Sequence, residues 1–242
     1  MNTTAGGATV PRALRGAVAV VLDTDGVITD SARVHAAAWK EAFDAFLAPR
    51  AGRPFDARDD YLRYVDGRSR LDGARSFLEA RGPAPSEEEV REVAARKEEL
   101  FTARLREHGI DAYPGTVRLL RVLRAAGVPS AAVSASRHAR ELLVRAGVRD
   151  LFDTLVDGTE AARLGLPGKP DPALFLEAAR RLGVPAARAA VVEDALAGVE
   201  AGRRGGFALV VGVDRARTPQ TRAGLLEHGA DLVVDDLGEL LD

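Results

Sequence analysis

Six consecutive apolar residues, Ala17 to Leu22, run without a break into Asp23-Thr24-Asp25-Gly26. A short valine-rich run of this kind reads as a strand buried on both faces. After Ser31 the period changes from 2 to 3.6. Trp39, Phe43 and Phe46 fall at i, i+4 and i+7 and predict an amphipathic helix ending near Ala48-Pro49. Residues 49–60 are polar and read as a linker, and a second helix is expected over about 69–80. Ser86-Glu87-Glu88-Glu89 is a capping box opening a third helix, whose apolar stripe continues through Val90, Val93, Ala94, Leu100, Phe101 and Leu105. Nothing between 31 and 108 reads as a strand.

From Tyr113-Pro114-Gly115 onward, helices and strands alternate. Strands are expected over 128–133, 154–157, 189–192, 207–213 and 231–234. The helices between them include one over 115–126 ending at Gly127, one ending near Gly147, and one with Asp171 as N-cap and Pro172 at its first position. Strands alternating with helices imply an α/β fold with a doubly wound parallel sheet. The first strand is separated from the rest by the helical block. The expected organisation is therefore a core domain from 1–30 and 110–242 and an inserted α-helical cap over 31–109. An insert leaving from the ligand-binding edge of a sheet is placed as a lid.

Composition narrows the partners. Lys plus Arg (34) nearly balance Asp plus Glu (36), which gives no electrostatic footprint for nucleic acid or an anionic membrane, and 46% hydrophobic residues mark a globular chain. Cysteine is absent, excluding thiolate nucleophiles and cysteine-ligated zinc. No apolar run approaches the roughly 20 residues of a membrane span. A cytoplasmic, monomeric protein with a small-molecule partner is expected. Lysine occurs only at positions 40, 97 and 169, so each lysine is a candidate for a specific role, and Lys97 interrupts the apolar stripe of its own helix. Snorkelling would equally account for Lys97, and Lys40 reads as structural.

The carboxyl ends of parallel strands form the ligand crevice of an open α/β sheet. Asp23 and Asp25 stand there, and on an ideal strand both would point to one face. Two carboxylates held close call for a cation or a shared proton. A calcium loop also opens with D-x-D, but its fifth, sixth and twelfth positions would be Val27, Ile28 and Val34, none of them suitable. Ser134, Lys169 and Glu193-Asp194 occupy equivalent strand ends or helix starts. Singly they read as a cap, a solvated charge and a helix-dipole partner; together they suit phosphoryl transfer, in which carboxylates hold a divalent metal and a lysine neutralises phosphoryl oxygens. No G-x-G-x-x-G follows the first strand, which disfavours a dinucleotide-binding enzyme.

Those residues, quoted as Asp23-Thr-Asp25-Gly26-Val-Ile-Thr-Asp30-Ser31 with His35 and Trp39-Lys40, Val133-Ser134-Ala135-Ser136, Gly168-Lys169-Pro170-Asp171-Pro172 and Val192-Glu193-Asp194-Ala195-x-x-Gly198, resemble the haloacid dehalogenase superfamily and, within it, the β-phosphoglucomutase-like family. The resemblance covers nearly the whole chain. It implies Asp23 as the nucleophile and Asp25 as general acid and base, with magnesium held by Asp23, the backbone carbonyl of Asp25 and Asp194, beside Glu193. It implies that Ser134, Ala135 and Lys169 bind the transferring phosphoryl group. From the cap side it implies roles in substrate binding and closure for Ser31, His35, Gly67, Arg70 and Lys97, with Arg70 on the substrate's other phosphate. Leu22 stands where many relatives have phenylalanine, and Arg137-His138 replaces a common Lys-Asn, which bears on sugar recognition at Arg137. The implied activity is interconversion of sugar phosphates, with a sugar-phosphate phosphatase as the alternative and a non-catalytic sensor disfavoured by the intact acids.

Overall fold

In a computed structural model describing residues 9–50, 52–82 and 84–241, the apolar run becomes strand β1 (Ala19–Asp23), every residue of which is buried. The first eight residues of the expected core segment and Ala51 of the expected linker lie outside those described. Helix α1 (Ala32–Leu47) follows, and α2 (Arg70–Glu79) and α3 (Glu87–His108) complete the helical block. The Ser86–Glu89 capping box forms as the spacing predicts: Glu89 N donates to Ser86 Oγ, and Ser86 N donates to the Glu89 carboxylate. The remainder runs α4 (Pro114–Ala125), β2 (Ser130–Val133), α5 (Ala139–Arg145), β3 (Thr154–Val156), α6 (Gly158–Leu164), α7 (Ala173–Arg181), β4 (Ala189–Glu193), α8 (Leu196–Arg204), β5 (Leu209–Val213), α9 (Pro219–Glu227) and β6 (Leu232–Val234).

The six strands form one parallel sheet in the order β3-β2-β1-β4-β5-β6, which places β1 at its centre. Alternation along β1 divides the core. Val20 and Leu22 pack with Leu119, Leu120, Leu123 and Leu143 from α4 and α5; Ala19 and Val21 pack with Phe175, Ala178 and Val199 from α7 and α8. Helices thus cover both faces, as a sheet of continuous apolar strands requires.

A separate apolar cluster holds the helical block together around Phe43, whose ring centroid lies 4.1 Å from that of Phe77 and 5.0 Å from that of Phe55. Phe55 comes from the stretch read as a polar linker, and it is 1% exposed. Its backbone N–H donates to Asp44 Oδ1 at 2.7 Å, so the segment is pinned to α1. Further along, Tyr61–Val65 forms a π-helical turn that hydrophobic periodicity does not signal. Two shorter differences have local causes. The helix expected from Asp171 begins at Ala173 with Pro172 as N-cap, although Asp171 Oδ1 still accepts from Ala173 N. Helix α6 was not foreseen because its seven residues bury none of their number, which leaves no apolar stripe to read. Among the described residues no helix is long and apolar enough to cross a membrane.

Candidate active site

The floor of the site is built by two neighbouring strand ends. Leu22 of β1 lies in register with Val192 of β4, which sets Asp23 beside Glu193. Lys169, from the loop before α7, reaches between them and hydrogen-bonds Asp23 Oδ1 and Glu193 Oε1. The ammonium also lies 4.9 Å from the centre of the Phe175 ring. Burial alone would lower Lys169, but the Asp23 and Glu193 carboxylates hold it well above the ordinary lysine range. The second oxygen of Glu193 accepts from Asp194 N at 2.6 Å and Ala195 N at 2.7 Å, fixing the turn into α8. Close approach there depends on two glycines: a Cβ on Gly26 would lie 1.7 Å from Asp194 Oδ2, and one on Gly198 would lie 1.6 Å from Glu193 Oε1.

Asp25 lies just past the strand end, where its backbone N–H donates to Asp23 Oδ2 at 2.9 Å. The extended backbone ends at Asp23, and the next residues fold into a turn in which Gly26 N donates to Thr29 O at 2.9 Å and Gly26 adopts φ +81°. Asp23 and Asp25 line one cavity, as expected, although the regular pleat that the i, i+2 rule describes stops between them. The Asp25 carboxylate accepts from Ser31 Oγ and from Ser134 Oγ, the latter at 3.1 Å, and lies 3.3 Å from His35 Nε2. Burial would raise this group, but His35, Ser31 and Ser134 together hold it below the usual carboxylate range.

His35 has an assignable tautomer. Lys97 Nζ lies 2.8 Å from its Nδ1, and an ammonium can only donate, so Nδ1 accepts and the proton sits on Nε2, towards Asp25. That Nε2 is close to the carboxylate without being aligned for a well-formed hydrogen bond. Burial, then the Lys97 charge, pushes His35 down towards its neutral form, while burial brings Lys97 down to about 8. The imidazole stacks on Phe101 at 4.1 Å, and Lys97 Nζ lies 4.5 Å over the same ring.

A cavity of about 260 Å³ separates this floor from the helical block. Asp23, Asp25, His35, Gly67, Arg70, Lys97, Ala135, Arg137, Lys169 and Asp194 line it. Ser31, Ser134 and Glu193 stand behind the wall, each fully buried. Ser134 and Lys169 do not converge on one carboxylate: the first bonds Asp25, the second Asp23 and Glu193. Gly67 brings the helical block against the start of α8, where a Cβ would lie 2.9 Å from that of Ala195. Arg70 reaches Glu98 of α3 at 2.5 Å, and Glu98 also bonds His138.

The family model of the haloacid dehalogenase-like hydrolases matches residues 18–206. The chain belongs to that family. Among curated relatives, this haloacid dehalogenase-like chain is 44% identical over 238 residues to the β-phosphoglucomutase of Mycobacterium bovis, covering 92% of this chain and 91% of that one. It is 35% identical to the β-phosphoglucomutase of Bacillus subtilis, with the same coverage. The crystal structure of β-phosphoglucomutase from Clostridium difficile superposes with a TM-score of 0.73 at 28% identity, over 93% of each chain. The protein is thus a β-phosphoglucomutase-like member of the haloacid dehalogenase superfamily and an enzyme, a phosphotransferase or phosphatase.

In this haloacid dehalogenase-like enzyme, oxygens of Asp23, Glu193 and Asp194 lie within 4.8 Å of one another. Burial, followed by the pull of Lys169 and the push of Glu193, leaves Asp23 well above the ordinary aspartate range, and burial with Asp66 and Glu193 does the same to Asp194. An all-oxygen donor set with more acid than base around it fits a hard divalent cation. The Asp25 carboxylate is not part of that cluster and is held by Ser31 and Ser134. Three acids on the cavity wall, Asp66, Asp72 and Glu98, escaped sequence reasoning. Asp66, raised to about 7 by burial and then by Glu193, precedes the Gly67 turn with no periodicity to mark it. Glu98 follows Lys97 and reads from sequence as an ordinary solvated charge.

Proposed function

We propose that the chain is a magnesium-dependent phosphotransferase acting on sugar phosphates, of the β-phosphoglucomutase type, interconverting β-glucose 1-phosphate and glucose 6-phosphate. The observation that carries this reading is the division of labour between two carboxylates two positions apart: Asp23 is held by a lysine beside an acidic cluster, and Asp25 by two hydroxyls next to an imidazole. An Asp23 oxygen attacks the phosphorus of the sugar phosphate and the P–O bond to the sugar breaks. As a carboxylate, Asp25 takes the proton of the attacking hydroxyl when the phosphoryl group returns to sugar, and it gives that same proton back to the leaving sugar oxygen when the P–O bond breaks in the opposite direction. Lys169, already on Asp23, supplies positive charge where the phosphoryl oxygens would lie. Magnesium, held by Asp23 and Asp194 with Glu193 beside it, would add Lewis-acid stabilisation of those oxygens.

Residues 31–109 act as the cap in this reading. They contribute His35, Arg70 and Lys97 to the cavity wall, so closure and the positioning of the proton-transfer group are one event. A cavity of about 260 Å³ suits a monosaccharide phosphate better than a larger ligand. A sugar-phosphate phosphatase is the second reading, favoured by the engagement of Arg70 with Glu98, which leaves that guanidinium less free to select a second phosphate. Incubation with magnesium and a panel of sugar phosphates, following isomerised product and free phosphate together, separates the two. Isomer without stoichiometric phosphate supports the mutase, phosphate alone the phosphatase, and neither product sinks both.

A further inference from the structure

Glu98 divides its two oxygens between parts of the molecule that no motif connects. One meets Arg70 Nη1 at 2.5 Å, at the start of α2; the other bonds His138 Nε2, in the loop that leads from β2 into α5. The remaining nitrogen of His138 lies 3.6 Å from Glu141, and the Phe101 ring stands 5.6 Å from the imidazole. The contact therefore ties the helical block to the sheet-side rim of the cavity. His138 stands above the ordinary histidine range chiefly because it donates to Glu98, and that same bond holds Glu98 down at about 2. A carboxylate set between a guanidinium and an imidazole N–H is what an anionic ligand would look like in that place.

The rest of the rim sharpens the contrast. Arg68 and Arg137 line the same cavity, and among the described residues neither forms an ion pair. Arg70, the guanidinium that the family resemblance sets on the substrate's second phosphate, is already neutralised. At 31% exposure, Glu98 and Arg70 remain reachable from the cavity.

We propose that Glu98 is an internal surrogate for the substrate's second anionic group: it occupies Arg70 and His138 while the cavity holds no ligand, and it gives both up when a phosphate-bearing ligand enters. The idea rests on the sugar-phosphate reading above and deepens it. Glu98 is on this account a positioning and specificity-determining residue that sets how strong an anion must be to take over the rim, and it lets the cap dock on the core without substrate.

The test is calorimetric titration of glucose 6-phosphate, with magnesium, into the full chain and its Glu98→Gln, Arg70→Ala and doubly substituted variants. Glu98→Gln should bind roughly three- to tenfold tighter, the scale of freeing a partly exposed charged pair. The gain should vanish when Arg70 is also replaced, which a merely structural effect of the substitution would not do. In the wild type, the NMR signal of the His138 imidazole should shift as glucose 6-phosphate binds, a readout independent of how any variant folds. Equal or weaker binding by Glu98→Gln, a gain that survives Arg70→Ala, an unmoved His138 signal, or no binding by either protein overturns the proposal. Turnover of sugar phosphates measured alongside keeps the two ideas apart. Turnover with no gain in affinity removes only the surrogate, whereas a gain in affinity with no turnover removes the functional reading and leaves the anion site standing.

Discussion

Lys169, Asp23 and Glu193 expose 1%, 7% and 0% of their side chains, whereas Arg70, Glu98 and His138 expose 31%, 31% and 22%. Each trio places acids against bases across the same cavity. The floor is fixed by the register of two central strands and sealed from water, so its charges are interdependent and removing one leaves another stranded. The roof is assembled from the start of α2, the middle of α3 and the loop before α5, is partly wetted, and its contacts can be exchanged for others at little cost. Chemistry that must be identical at every turnover is built on the first kind of structure, and recognition that must yield to a ligand on the second.

The largest effect belongs to the floor. Asp23→Asn should lower turnover by at least about a thousandfold while leaving the circular dichroism spectrum unchanged, because it keeps the shape and removes the attacking oxygen's charge. Substantial residual turnover would move the nucleophile elsewhere. Lys169→Met should come next, destabilising the fold by about 3–5 kcal/mol in urea unfolding, since two buried carboxylates lose their shared partner. A loss below about 1 kcal/mol would show that the floor is as forgiving as a surface pair.

On the roof, Arg70→Ala should reduce sugar-dependent turnover by roughly tenfold, the scale of a lost charged hydrogen bond, with hydrolysis of acetyl phosphate nearly unchanged. Steady-state kinetics of both reactions on one preparation decide it, and an equal fall in both would make Arg70 part of the floor's support. The smallest effect is His138→Asn, expected to remove less than about 1 kcal/mol of stability because the pair is partly exposed. The folded-state value of His138 is raised, so its contribution is complete below the unfolded value of 6.5 and fades as pH rises through the raised one. Glu98 is lowered from 4.5 to about 2, so its contribution is complete above 4.5 and fades as pH falls towards 2. The difference between wild type and His138→Asn should therefore be greatest between pH 4.5 and 6.5. A difference that grows above pH 8 would contradict the pairing.

The same contrast decides how much could be read from the chain. Strand β1, the Ser86–Glu89 box and the parallel alternation after Tyr113 were legible because burial on a regular element writes a period into the sequence. Asp23, Lys169 and Glu193 were legible because each terminates or precedes such an element. The partners of Asp25 were not: Ser31 and Ser134 reach its carboxylate only because the chain leaves the strand and turns at Gly26. Phe55 was hidden among charged neighbours, although it is held by a backbone bond to Asp44 as well as by its ring. Glu98 and Asp66 gain their meaning only from what the fold brings opposite them, so no local pattern could single them out.

The strand order has a consequence in time. Reading from Ala19, synthesis produces β1, then the helical block, then β2 and β3, all before β4 exists. The half-sheet β3-β2-β1 would present β1 as a raw edge on the growing chain until β4 arrives to pair with it. Lys169 follows Asp23 by 146 residues, and Glu193 and Asp194 come later still. The emerging polypeptide thus carries Asp23 for most of its synthesis without the charged groups that surround it in the fold. The acidic cluster is completed in one step, with a single strand closing the centre of the sheet.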